Sequence, residues 1–356
     1  MEHIQSHDHT IFFSSGEKGF FSDLLVKKNY SSVFILVDSN TETHCLPHFL
    51  SHYPCPENFE IISIEAGEEH KHIQTCAGVW EALSELGADR KSLLINLGGG
   101  VITDLGGFVA STFKRGIDFI NVPTSLLAMV DASVGGKTGV DLGPLKNQIG
   151  VIINPQAVVI DTDFLATLPS NEYRSGYAEM LKHGLIQDAA YWKELADFGK
   201  ISTDKIGKYI HHSVSIKHQV VREDHREDSL RKILNFGHTL GHAVESYHLI
   251  NEDKTTLLHG EAIAIGMIME AYISSVLLAL PKNECEEIKK VFDAIYPKVA
   301  FDEKDFDAIV EMLIYDKKNS HGKVKFALLK AIGNPKWDAE VPNALLKDAF
   351  SYYQDN

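Results

Sequence analysis

Residues 93–108 read LLINLGGGVITDLGGF, and this stretch decides the fold class. Its apolar opening has strand character, and Gly98, Gly99 and Gly100 follow directly before a helical pattern begins. A strand that runs through glycines into a helix is how parallel α/β sheets admit a phosphate. The helix N-terminus offers unpaired N–H groups, and glycine lets the ligand approach the backbone. The pattern is not GxGxxG, and a lone GGG also serves as a tight turn. It therefore points towards dinucleotide binding without specifying it.

Outward from this stretch, Ser32–Asp38, Ile61–Ile64, Ile117–Val122 and Val158–Asp161 are further short apolar, strand-like runs. Residues 70–86 carry apolar Ile73, Val79, Trp80 and Leu83 near helical spacing. This alternation predicts βαβ units and a mostly parallel, Rossmann-like sheet. From Asn171 onward the chain reads as helix after helix, with polar breaks at 199–203, 250–256 and 281–283. The expected organisation is an α/β domain over residues 1–168 and an all-α domain over 169–356. Asp38, at the end of an early strand, suits either a ribose hydroxyl or a turn.

The length of 356 residues is enough for two cores, and 44% apolar with 23% charged residues is ordinary globular composition. Lys and Arg number 34 against 49 Asp and Glu, a formal charge of −15 with no basic tract. That argues against nucleic acid or an anionic membrane as partner, while leaving room for a local basic site for a small anion. Cys45, Cys55, Cys76 and Cys285 show no CxxC and read as reduced cytoplasmic thiols. MEHIQSHDHT lacks the pattern of a signal peptide. The long apolar run Ala262–Leu280 is interrupted by Glu270 and ended by Pro281, so we read a buried helix.

Three segments carry chemistry. Arg115, Asp131, Lys137, Lys146 and Asn147 lie among Gly135, Gly136, Gly139 and Gly143, where lysines suit phosphate or carboxylate, although a solvated loop has the same composition. Lys217, Arg222, Arg226 and Arg231 stand at helix-compatible spacing, which by itself describes an exposed face. In NFGHTLGH, His238 and His242 are four apart and share a helix face, and His259 opens a second helix at LHGEA. Three imidazoles suggest a metal site, but with 18 His in the chain the spacing alone does not separate ligands from core or solvated histidines.

Together, GEEHK (67–71), the long stretch from GGGVITDLGGF to GGKTGVD (98–141), LKNQIG (145–150), YAEMLKHGLI (177–186), LNFGHTLGHAVE (234–245) and LHGEAIAIGM (258–267) resemble the 3-dehydroquinate synthase family of sugar-phosphate cyclases. The resemblance implies an NAD-binding α/β domain and a helical domain holding Zn²⁺ or Co²⁺ through Glu179, His238 and His259. It makes His242 a substrate-binding, catalytic histidine, and Glu261 a helix-start or supporting residue. It places NAD at Asp38, Glu68, Lys71, Gly99, Gly100, Asp104, Thr124, Ser125, Lys137, Lys146, Phe164 and Thr167. Substrate falls to Asp131, Lys137, Lys146, Asn147, Lys182, Lys217, Arg231, Asn235 and His242. Arg115 is implied to reach a neighbouring subunit's site in a homodimer, and Lys317 or Lys318 to meet phosphate.

Departures are mild. Thr103 stands where many members have Gly, Ser125 replaces a common Thr, and DLGPLKN varies the approach to Lys146 and Asn147. The implied enzyme is a cytoplasmic, phosphate-eliminating lyase of the shikimate pathway, which makes chorismate and the aromatic amino acids. It converts 3-deoxy-D-arabino-heptulosonate 7-phosphate to 3-dehydroquinate by transient oxidation, elimination, re-reduction, ring opening and aldol closure. Another sugar-phosphate cyclase, or a metal- and NAD-dependent polyol dehydrogenase, is the competing reading.

Overall fold

The computed structural model describes residues 2–6, 9–14, 19–56, 58–143, 145–201, 205–318 and 324–355. The chain divides into two compact units, Met1–Tyr173 with Ile210–His218, and Arg174–Tyr209 with Gln219–Asn356.

In the first unit the strands are β1 (Glu2–Gln5), β2 (Thr10–Ser14), β3 (Val33–Asp38), β4 (Phe59–Ile64), β5 (Leu93–Gly98), β6 (Asp118–Pro123), β7 (Lys137–Leu142), β8 (Leu145–Ile152) and β9 (Ala157–Asp161). Seven form one sheet in the order β1-β2-β9-β6-β5-β3-β4, parallel throughout except for β1 against β2. The central strands are apolar without alternation because both faces are covered, as β5 shows by being buried along its whole length. Phe34, Leu36, Leu94, Ile102, Leu105 and Phe119 belong to the core that results. The helices of this unit are α1 (Gly19–Lys28), α2 (Ser39–His44), α3 (Leu46–His52), α4 (Ile73–Glu85) and α5 (Gly100–Thr112). The five strands expected from sequence are β3, β4, β5, β6 and β9; β1, β2 and the β7–β8 hairpin come in addition. After β3 the chain lays β4 on one side and β5 on the other, so the strand order reverses between β3 and β5, where open α/β sheets bind ligands.

The second unit is helical. It contains α6 (Ser170–Gln187) from Arg174 onward, α7 (Ala189–Leu195), the two ends of α8 (Ile206–Glu223), α9 (His238–Ile250), α10 (His259–Leu277), α11 (Lys282–Ile295), α12 (Glu303–Lys318) and α13 (Asn343–Gln354). An antiparallel hairpin, β10 (Lys325–Ala331) with β11 (Asn334–Glu340), was not expected from the sequence. By length and composition α10 could cross a bilayer, but 72% of its most apolar window is buried in the protein, which makes it a core helix. It meets α9 backbone to backbone. A Cβ at Gly266 would strike the Gly237 carbonyl, and one at Gly241 would lie 3.0 Å from the Ala262 carbonyl oxygen.

Candidate functional site

In the first unit, the residues assigned to a dinucleotide gather at the carboxyl ends of the parallel strands. Asp38 ends β3, Glu68 and Lys71 follow β4, and Gly99, Gly100 and Asp104 follow β5. Thr124 and Ser125 follow β6, and Phe164 and Thr167 follow β9. Among these, Gly99 caps α5 without a side-chain hydrogen bond, so the first-turn N–H groups of a thirteen-residue helix are left for another acceptor. A Cβ at Gly99 would lie 3.3 Å from Ser125 Oγ, so glycine keeps the turn open on that side. The Thr103 hydroxyl is turned back to donate to the Gly100 carbonyl at 3.1 Å and lies buried, so it does not narrow the turn. The Asp38 carboxylate accepts from the N–H groups of Asn40 and Thr41 and caps α2, which is the turn role the sequence left open. The uncapped α5 N-terminus beside an open glycine turn, at the point where the strand order reverses, fits the phosphates of NAD.

Lys71, Asp104, Glu68, Lys146, Asp141 and Asn147 form one polar network around the buried Lys71 and Asp141, with Asp104, Glu68 and Lys146 half-buried and Asn147 exposed. Lys71 Nζ reaches Asp104 at 2.7 Å and Asn147 Oδ1 at 2.8 Å, while Lys146 Nζ reaches Glu68 at 2.8 Å. Burial works against the Lys71 charge, but Asp104 and Glu68 outweigh it and hold the ammonium above the ordinary lysine value. Burial likewise leaves the Asp104 carboxyl above the usual range despite Lys71. Asn147 adopts a left-handed backbone, φ 52, and its N–H is held by the Asp141 carboxylate at 2.7 Å. Asp141 was given no role from sequence, although it ends the GGKTGVD motif. Lys137, at the start of β7, is exposed. Arg115 is exposed too, in a left-handed turn with Lys114 and Gly116 (φ 48, 70 and 110), apart from this network.

The four-residue basic set divides. Helix α8 ends at Glu223, so Arg226 and Arg231 lie beyond it. Lys217 and Arg231 are buried, whereas Arg222 and Arg226 are exposed. Within the first unit, Lys217 Nζ donates to both Asp131 O at 2.6 Å and Asp131 Oδ1 at 2.8 Å. In the second unit, Arg231 donates to the His225 carbonyl at 2.7 Å, and Asn235 donates to Glu227 Oε1 at 2.7 Å. Asp224, unnoticed in the sequence, organises this turn by accepting the N–H groups of Asp228, Ser229 and Arg231.

The second unit also holds the imidazole cluster. Helix α6 is buried almost all round, and Glu179 projects from it fully buried, ion-paired with Lys182 one turn on. Glu179 Oε1 lies 3.5 Å from His238 Nε2 and 3.7 Å from His259 Nε2. These separations are long for hydrogen bonds. They match the roughly 3.4 Å between ligand atoms that bonds of about 2.0–2.1 Å make around a tetrahedral ion. His238, His242 and His259 each offer a nitrogen within 4.8 Å of the others, so an all-histidine set is also geometrically available. The His238 Nδ1 faces the Phe236 carbonyl at 3.2 Å, which directs a bare Nε2 towards Glu179. The His259 Nδ1 faces Glu245 Oε2 at 3.2 Å, the carboxylate–histidine arrangement that supports metal ligands.

The charges suit a cation. Burial would raise the Glu179 carboxyl, but Lys182, His238 and His259 hold it well below the usual range. Burial and Lys182 keep His238 neutral. At His259 burial is overcome by Glu245 and Glu179, and the imidazole is pushed up to about 10. Glu261 accepts the Leu258 N–H and starts α10. Glu245 had a readable signal, since it stands seven residues after His238 on the same face of α9. The side chains of Lys317 and Lys318 lie outside the described residues.

Fold and site define a two-unit protein: a parallel α/β unit with a phosphate-admitting glycine turn, and a helical unit with a Glu/His centre fit for a divalent ion. The chain belongs to the 3-dehydroquinate synthase family. The family models for the N-terminal and C-terminal parts of 3-dehydroquinate synthase match residues 61–175 and 176–319. A 3-dehydroquinate synthase of Parabacteroides distasonis is 40% identical over 341 residues, spanning 95% of this chain and 96% of that protein. Among solved structures, 2-deoxy-scyllo-inosose synthase complexed with carbaglucose-6-phosphate, NAD⁺ and Co²⁺ superposes with a TM-score of 0.80 at 26% identity, covering 96% of each chain. The 2-epi-5-epi-valiolone synthase of Streptomyces hygroscopicus, with NAD⁺ and Zn²⁺ bound, shares the fold with a TM-score of 0.82 at 23% identity, covering 99% of this chain and 98% of that one.

Proposed function

We propose that this chain converts 3-deoxy-D-arabino-heptulosonate 7-phosphate into 3-dehydroquinate and phosphate, as a carbon–oxygen lyase using NAD⁺ and Zn²⁺ or Co²⁺. The observation that carries the reading is family membership along residues 61–319 with each charged residue of the family pattern in place. The cofactors are supported by their presence in the related 2-deoxy-scyllo-inosose synthase.

We assign the ion to Glu179, His238 and His259, and His242 to substrate. Glu179 brings a negative charge, which a dication favours and which burial makes costly in the absence of a counter-charge. A bound ion would polarise adjacent sugar hydroxyls and lower their pKa. Asp38, Glu68, Lys71, Gly99, Gly100, Asp104, Thr124, Ser125, Lys137, Lys146, Phe164 and Thr167 would hold NAD⁺, which would supply reversible hydride chemistry there.

Lys137, Asn147, Arg115 and His242 hold the phosphate, whose own oxygen then takes the proton during elimination. Lys217 and Arg231, with Asn235 and Lys182, hold the carboxylate and hydroxyl end. Asp131 keeps the Lys217 ammonium at two points, so its charge needs little reorganisation when substrate arrives. Holding both ends restricts the substrate to reactive geometries. The α/β unit is assigned to cofactor and the helical unit to metal, in a soluble cytoplasmic homodimer whose Arg115 serves the neighbouring subunit. The exposed left-handed turn at Arg115 supports that last role.

The test is phosphate release with NADH absorbance followed in parallel, using catalytic NAD⁺, Zn²⁺ and the heptulosonate phosphate. Phosphate far in excess of NAD⁺ without NADH build-up supports the reading. Absence of phosphate release refutes it. Turnover of glucose 6-phosphate or sedoheptulose 7-phosphate would then mark another cyclase, and stoichiometric NADH from a polyol a dehydrogenase.

A further inference from the structure

Helix α9 begins with the candidate ligand His238 at its first position, yet its N-cap is Gly237, which has no side chain to bond the orphan N–H groups. Gly237 cannot be exchanged for a capping residue. Its φ is +80, and a Cβ there would strike Met267 and sit 3.1 Å from the Ile263 carbonyl oxygen. The cap comes from the neighbouring helix instead. Glu270 on α10, fully buried, accepts the Gly237 N–H at 2.7 Å through one oxygen and the Leu240 N–H at 3.1 Å through the other. Those are the N-cap and N3 donors, the pair that a capping box satisfies with two side chains. Here one carboxylate takes both.

The same residue is tied to the second imidazole ligand. Glu270 lies eleven residues after His259 on α10, about three turns, so both project from one face of that helix. Glu270 thus fixes the start of the helix that opens with His238 to the helix that opens with His259. A carboxylate buried in so apolar a helix is costly to desolvate, and two charge-assisted bonds to a helix N-terminus offset that cost.

We propose that Glu270 is a positioning residue of the metal centre: it sets the placement of His238 relative to His259 by capping α9 from α10. The inference rests on the assignment of both histidines to the ion. It goes beyond that assignment by adding a residue that touches neither ion nor substrate.

The test measures Co²⁺ binding by chelator competition, together with the visible d–d spectrum, in the parent, Glu270→Gln and Glu270→Asp. Melting temperatures of the metal-free proteins are recorded alongside. Gln offers one acceptor and turns an NH₂ group towards the other amide, while Asp is one methylene too short to reach both donors. Expected is about a tenfold or larger loss of Co²⁺ affinity with altered d–d bands in Gln, and a smaller loss in Asp. A Gln variant that melts lower without metal but binds Co²⁺ with the parent's affinity and spectrum overturns the proposal. Should Gln not fold, the Asp variant decides by the same criterion. Failure of the parent itself to bind Co²⁺ overturns the metal assignment, and this inference with it.

Discussion

Replacing Glu245 by Gln should change how metal affinity depends on pH, and in opposite senses at the two ends of the range. Glu245 Oε2 sits 3.2 Å from His259 Nδ1, and with Glu179 it pushes that imidazole up to about 10 against the effect of burial. A group raised in this way keeps its proton below its pKa, so at neutral pH His259 is an imidazolium and an ion must displace that proton. From pH 7 to 10 the parent's affinity should climb about tenfold per pH unit, some three decades in all, with one proton released per ion at pH 7. In Glu245→Gln the proton is held less tightly and the slope above neutrality flattens. The ring also loses its carboxylate support, which costs about 10–100-fold in intrinsic affinity. Because the parent still carries about a tenfold proton penalty at pH 9 and more than about three decades at pH 6.5, the variant should be weaker than the parent by up to about tenfold at pH 9 and tighter than it at pH 6.5. Chelator competition across that range gives the slopes, and calorimetry in two buffers of different ionisation enthalpy counts the protons. Equal slopes in the two proteins, or no proton released by the parent at pH 7, would refute the reasoning.

Lys71→Ala leaves the half-buried Asp104 without its partner at 2.7 Å and should cost up to about 3 kcal/mol in urea unfolding; Lys71→Met combined with Asp104→Asn should recover most of that loss. At Asp224, backbone N–H groups overcome burial and hold the carboxyl down to about 2. A depressed carboxyl stabilises above its unfolded value and loses that contribution as pH falls from about 4 towards 2. Melting of the parent should therefore drop more steeply over that interval than melting of Asp224→Asn. Lys137→Ala should lower phosphate release by about 100-fold or more if the ammonium holds the leaving phosphate, and unchanged turnover would remove that role.

Much of the sheet was legible because β3, β5, β6 and β9 are buried on both faces and read as unbroken apolar runs. The β7–β8 hairpin was not, since its glycines and lysines have the composition of a loop. In the structure Gly139 pairs with Gly150, and a Cβ on Gly139 would lie 2.5 Å from the Ile149 carbonyl oxygen of the facing strand. These glycines mark close strand approach rather than irregular chain. The hairpin strand KFALLKA is built from good helix formers, and its pairing with β11 overrides that preference.

At the candidate centre, spacing brought out His238, His242 and His259 without separating ligands from the rest, while Glu179 lies 59 residues before His238 and was reached only through the family resemblance. Glu270 did leave a mark, as the one charge interrupting an apolar run. Its partners are backbone amides on another helix, which no pattern in the sequence records.

The contact of α9 with α10 through Gly237, Gly241 and Gly266 has an evolutionary reading. A spacing set by main chain against main chain does not drift when surrounding core side chains are exchanged one for another. Substitution can therefore accumulate widely around the two histidines without moving them apart. Apart from the Glu270 cap, the liability is concentrated at these three glycines, where even a single added methyl group would press against the facing helix.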